Sequence, residues 1–137
     1  SLRRRPSPLC LRARASSVGR STQRVRNRTR DTVLATRCAV ADSFFTRAFG
    51  LIPRARLGVG EGLLLTRTSS ITMWFMRFPI DAVFVDRTGR VVRVAADLPP
   101  WRFATAARGA RDVVELPSGT AARTGTQVGD ELIFEPM

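Results

Sequence analysis

Asp81 is the residue whose type and position could do the most chemistry. It follows Pro79 and Ile80 and precedes the apolar Ala82-Val83-Phe84-Val85, so its carboxylate stands at the mouth of a buried strand. A charge there is costly unless it accepts hydrogen bonds or pairs with a cation. Two roles meet that requirement. In the structural role it caps backbone N–H groups or pairs with an arginine such as Arg77, holding the following hairpin in register. In the functional role, as metal ligand or acid–base group, it needs a second convergent carboxylate, because hydrolytic pairs and hard-cation sites use several oxygen donors. Asp86 and Asp97 supply the number, but one reads as a turn residue and the other as a strand end, and their spacing does not unite the three.

The most aromatic part of the chain, Trp74, Phe75, Met76, Phe78, Trp101 and Phe103, is interleaved with Arg77 and Arg102. Flat rings and guanidinium groups together could stack on a ligand and hold an anion. Packing in the core competes with that role and is expected for most of the rings, since a small domain needs large side chains to bury enough apolar area. The candidate binding surface is therefore Met76, Arg77, Asp81, Trp101 and Arg102. Gly58-Val59-Gly60-Glu61-Gly62 resembles a phosphate loop in composition only. A strand follows it instead of a helix N-terminus, so it is expected to be a turn with positive φ. Gly129-Asp130 likewise reads as a tight turn.

Missing residue types narrow the chemistry further. All 23 basic residues are arginine, and lysine, histidine and tyrosine are absent. Arginine at exposed turn positions such as Arg87 and Arg90 points to the codon bias of a GC-rich genome, with bidentate anion recognition as the alternative. Without lysine there is no Schiff base, and without histidine no nucleophile with an imidazole base. Two cysteines and no histidine cannot build a zinc site of the usual kind. Cys10 and Cys38 fall in different kinds of segment, so no disulfide is expected and a reducing, cytoplasmic setting is acceptable. No catalytic residue, metal or cofactor is assigned.

The 137 residues suit one domain. Ten arginines and no acid lie in Ser1 to Arg30, and they account for +10 of the net +12. That segment is expected to be a disordered arginine-rich tail, dispensable for folding, although its composition also resembles an organelle transit peptide. Any nucleic-acid binding is expected to run through it alone and to be nonspecific and salt-sensitive. Residues 31–137 then form the single domain. No stretch is long and apolar enough to span a bilayer, and the chain is expected to be soluble.

Within that domain, Val33 to Val40 reads as a strand with Leu34, Thr36, Cys38 and Val40 facing the core. Asp42 to Gly50 has the spacing and caps of a short amphipathic helix. Gly62 to Thr66 and Ile71 to Phe75 look extended. Ile80 to Val85, apolar on both faces, is followed by the turn residues Asp86 to Gly89 and by Arg90 to Ala96, which predicts a β-hairpin. Asp112 to Leu116 is another strand, Ser118 caps a short helix that Gly125 stops, and Glu131 to Glu135 is the last strand. About seven short strands thus surround two brief helices.

Gly60-Glu61-Gly62, the block Trp74 to Asp81, Leu98-Pro99-Pro100-Trp101 and Gly129-Asp130 carry a resemblance to the family called domain of unknown function 192, extending from about Val33 to Phe134. The resemblance implies a compact α+β fold whose strongly bent, mostly antiparallel sheet is barrel-like. It implies no biochemical activity. Many similar members carry histidine where Thr72 stands here, which removes an acid, base or metal ligand from the neighbourhood of Met76 to Asp81. Three readings follow: a non-catalytic binding or accessory module, a small carboxylate- or metal-dependent enzyme, and nucleic-acid binding through the tail. The first is preferred.

Overall fold

The fold is that of a computed structural model, which describes residues 22–41, 57–71, 78–99 and 105–137. Its strands are β1 (Thr22–Asn27), β2 (Thr32–Ala41), β3 (Glu61–Leu65), β4 (Ser70–Ile71), β5 (Ile80–Val85), β6 (Val91–Leu98), β7 (Thr105–Ala106), β8 (Asp112–Pro117) and β9 (Leu132–Pro136). A helix, α1 (Thr120–Thr124), separates the last two. Seven strands form one sheet in the order β6-β5-β8-β3-β2-β1-β9, and β4 pairs with β7 in a small ribbon. Every neighbouring pair is antiparallel except β2 with β3.

The sheet curls until its two outer strands meet at one end. Arg90 bridges Glu131, the Leu132 N–H donates to the Gly89 carbonyl, and the Val91 N–H donates to the Asp130 carbonyl, both at 2.8 Å. This is the strongly bent sheet expected. Of the two helices expected, α1 is present and is the single helix among the described residues, and Asp42 to Gly50 lies outside them. No helix among the described residues is long and apolar enough to cross a membrane.

Alternating side chains place one apolar cluster on each side of the sheet. Val25, Leu34, Leu64, Val83, Val91 and Leu132 belong to the cluster inside the curl, to which all seven strands contribute. Leu63, Ile80, Phe84 and Val113 belong to the outer cluster, where Ile71 from the β4–β7 ribbon also packs. Strand β5 is buried at every position, and this double coverage explains why Ile80 to Val85 lacks a polar face.

Closure of the sheet depends on Gly89. Its φ of 90° lies in the left-handed region, and a Cβ there would stand 2.7 Å from the Leu132 carbonyl oxygen. That oxygen is backbone of the strand that closes the curl and cannot move aside. Gly89→Ala is expected to cost about 2 kcal/mol or more, read as a lower urea midpoint.

The boundary expected at Asp31 is corrected. Thr22–Asn27 is β1, hydrogen-bonded between β2 and β9, with Val25 and Asn27 fully buried. Part of the supposed tail is therefore built into the sheet. Its arginines meet acids there: Arg26 lies 3.4 Å from Glu135, Arg28 lies 3.8 Å from Glu131, and Arg30 lies 3.1 Å from Asp130. In β2 the strict alternation also fails. Register shifts opposite Val25 and the shared acceptance of the Thr36 and Arg37 N–H groups by the Gly60 carbonyl turn Thr36 outward, contrary to expectation.

Candidate functional site

Strand β5 carries Asp81 on the inner side of the sheet, paired with Leu116 of β8. The side chain is fully buried. One carboxylate oxygen, Oδ1, accepts the Asp97 N–H at 2.7 Å, and Oδ2 accepts the N–H groups of Gly119 at 3.1 Å and Ala121 at 2.8 Å. Charge-assisted bonds of this kind offset the cost of removing a carboxylate from water. They also tie three distant pieces together: the end of β5, an irregular stretch of β6, and the first turn of α1. Ser118, expected to cap that helix, does not. Gly119 is its N-cap, with φ 97° and no capping side chain, and the carboxylate of Asp81 meets the open N–H groups instead.

Asp97, which sequence spacing left apart, is brought beside Asp81 by that irregularity. Ile80 pairs with Leu98 and Ala82 with Ala95, so β6 has an extra residue opposite Asp81. Asp97 takes a left-handed φ of 54°, and its own carboxylate accepts the Ser118 hydroxyl. The two carboxylates are joined through a backbone amide. Asp86 lies at the other end of β5, where it accepts the Thr88 N–H, the Thr88 hydroxyl and the Arg90 N–H at 2.9, 2.7 and 3.0 Å. The Thr88 hydroxyl is the main reason that its carboxyl stays below the usual range. Asp86 is thus the turn residue expected. Among the described residues, no three Cys, Asp or Glu side chains converge as a metal site would require.

Of the candidate surface residues, Met76, Arg77, Trp101 and Arg102 lie outside the described residues. Asp81 is withdrawn from that surface, because a side chain with no solvent exposure and both oxygens bonded cannot meet a ligand there. Gly58 to Gly62 is the turn expected, with Gly60 at φ 81° leading into β3. Gly129 is also a turn residue, with φ 98°. Asp130 does more than turn the chain. It is buried and accepts from the Asn27 side chain, Arg30 and the Gln127 N–H at 3.0, 3.1 and 3.0 Å. Burial pushes its carboxyl up, but Arg30, Asn27 and Gln127 together hold it below the usual range.

Two features had not been singled out. Glu115 of β8 is buried and pairs with Ala82 on one side and Leu63 on the other. Ala82 in turn pairs with Ala95, and Leu63 with Ala39, so the carboxylate stands in a row of mostly small apolar side chains on the outer side of the sheet. It has no hydrogen-bonding or charged partner among the described residues, and burial pushes it up to about 8. Cys38 is pushed up to about 12, by burial first and by Glu115 second, so its thiol is an inert core group.

The second feature is a cleft of about 450 Å³ where β3 and β5 end and β8 begins, lined by Val40, Thr66, Arg67, Arg87, Arg111 and Asp112. Backbone geometry brings these residues together. The Arg67 N–H donates to Asp112 Oδ1 at 2.9 Å, the Thr68 N–H to the Arg111 carbonyl and the Arg111 N–H to the Val85 carbonyl, both at 2.7 Å. Arg67 itself has a left-handed φ of 54°.

Comparison with known proteins agrees with this architecture. The model of family DUF192, described as "Uncharacterized ACR", matches residues 25–134. A UPF0127 protein of Thermococcus sibiricus is 34% identical over 113 residues, covering 80% of this chain and 73% of its own. A UPF0127 protein of Pyrococcus horikoshii is 36% identical over 96 residues, covering 68% of this chain and 83% of its own. A crystal structure of a protein of unknown function from Novosphingobium aromaticivorans superposes with a TM-score of 0.72 at 28% identity, covering 82% of this chain and 83% of that one. The match begins inside β1 and ends inside β9, the two strands whose pairing completes the sheet, and the chain belongs to the DUF192 family.

Proposed function

We propose that the domain is a non-catalytic binding or accessory module. The observation supporting this reading is the engagement of Asp81: the carboxylate best placed for acid–base or metal chemistry is occupied by three backbone N–H groups. A group bonded in this way and buried from solvent positions chain segments and is out of reach of a substrate. Recognition then falls to surfaces elsewhere, and the sequence offers Met76, Arg77, Trp101 and Arg102 as one of them.

The substitution Asp81→Asn tests the reading. Its expected cost is about 1 to 3 kcal/mol, the usual effect of weakening charge-assisted buried hydrogen bonds. Urea midpoints of both proteins should differ by the same amount with magnesium and with a chelator. A variant more stable than the wild type, combined with loss of a metal-induced stabilisation that the wild type shows, would mark a functional carboxylate and overturn the proposal.

A further inference from the structure

We propose that the cleft between the ends of β3 and β5 and the start of β8 binds a small phosphate-bearing ligand through Arg67, Arg87 and Arg111. This inference deepens the reading of the domain as a binding module and rests on it. Three guanidinium groups and one carboxylate, Asp112, line the cleft, leaving a surplus of two positive charges that matches a phosphate dianion. None of the three arginines forms an ion pair with a described carboxylate. Elsewhere Arg26, Arg28, Arg30 and Arg37 do, whereas Arg24, Arg93, Arg108 and Arg123 do not, so it is the convergence of three on one cleft that sets this place apart. Asp112 does not neutralise them at contact distance, and one of its oxygens already holds the Arg67 backbone.

A polar side chain lines the cleft as well. Thr66 lines the same cleft, and its buried hydroxyl oxygen has no hydrogen-bond partner. That hydroxyl is covered and does not reach a ligand, so recognition falls to the arginines. Arginine suits this task because its planar, permanently charged fork meets phosphate oxygens in pairs. The volume of about 450 Å³ lies within the range of small-molecule sites. Arg67 and Arg111 leave the sheet from the adjacent strands β3 and β8, while Arg87 comes from the β5–β6 turn, so a rigid framework sets their separation.

Calorimetric titration of the full chain with inorganic phosphate, at constant ionic strength set by sodium chloride, tests the proposal. Saturable binding at one site is expected. Arg67→Gln and Arg111→Gln should each weaken it about tenfold, the effect of one lost charged hydrogen bond. Thr66→Val should leave binding unchanged and the melting temperature equal or higher, because it replaces a covered, unpartnered hydroxyl by a methyl group. Arg123→Gln, at an exposed arginine on α1 outside the cleft, should leave binding unchanged. Glycerol phosphate in place of inorganic phosphate distinguishes a phosphomonoester from the free ion: tighter binding by the ester assigns the site to a phosphorylated small molecule, and equal or weaker binding assigns it to phosphate itself. Absence of saturable binding, or equal weakening by Arg123→Gln and Arg111→Gln, overturns the proposal. A short oligonucleotide that binds more tightly than either and is insensitive to Arg67→Gln would also overturn it. None of these variants touches Asp81, so failure here leaves the reading of the domain as a binding module to its own test.

Discussion

Deletion of residues 1–30 is expected to abolish cooperative folding. The deletion removes all of β1, which hydrogen-bonds β2 on one side and β9 on the other. Val25 leaves the inner cluster, and the Asn27 and Arg30 side chains leave Asp130. Burying one valine contributes roughly 1.5 to 3 kcal/mol. Stranding the buried Asp130 carboxylate without its cation adds about 3 to 5 kcal/mol. With two strands also unpaired, these losses reach the whole stability of an ordinary domain, roughly 5 to 15 kcal/mol. Circular dichroism of the truncated chain should show no sigmoidal urea transition. A transition equal to that of the full chain would mean that β1 is dispensable.

Raising the pH from 4.5 to 8 is expected to destabilise the protein, and Glu115 is the reason. Burial lifts its folded value from 4.5 to about 8, so between those limits the folded chain holds a proton that the unfolded chain releases. Stability from this group is complete below pH 4.5 and lost as pH rises to 8, a change on the order of 5 kcal/mol. Asp130 and Asp86 act in the opposite direction at lower pH. Their folded values lie below 3.8, so they contribute stability above that pH and lose it as acid protonates them. The optimum should therefore lie near pH 5. Glu115→Gln should flatten the profile above pH 5 and exceed the wild type in urea midpoint at pH 8. A wild type that gains stability from pH 5 to 8, or a variant that retains the slope, would contradict this account.

Legibility in the sequence followed the strength of the local pattern. Ile80–Val85 was readable because an apolar run on both faces ended in Asp86 to Gly89, turn chemistry that the three bonds to Asp86 bear out. Strand β1 was hidden because Val25 is its one apolar residue, and its arginines merged into the basic composition before it. Its partners lie at the far end of the chain, beyond any window of periodicity. The bonding need of Asp81 could be stated from chemistry, but Gly119 and Ala121 are supplied by tertiary structure. Glu115 did leave a signal, a carboxylate within the apolar run Val113 to Leu116, and alternation places it beside Val113 on a covered face. The arginine cleft left none, since three turns far apart in sequence build it.

The pairing of β1 with β9 sets the order in which the molecule can be made. Asn27 stands opposite Leu132 and Gln23 opposite Pro136, so the first and last described strands are neighbours. A chain emerging from the ribosome cannot complete its sheet until the final strand is free, however early the β5–β6 hairpin closes. Contacts this distant in sequence slow folding, because the entropy of closing the loop must be overcome before the contact contributes. During synthesis β1 waits with its hydrogen-bonding edge toward β9 open, and its arginines keep that edge charged and resistant to pairing with other chains.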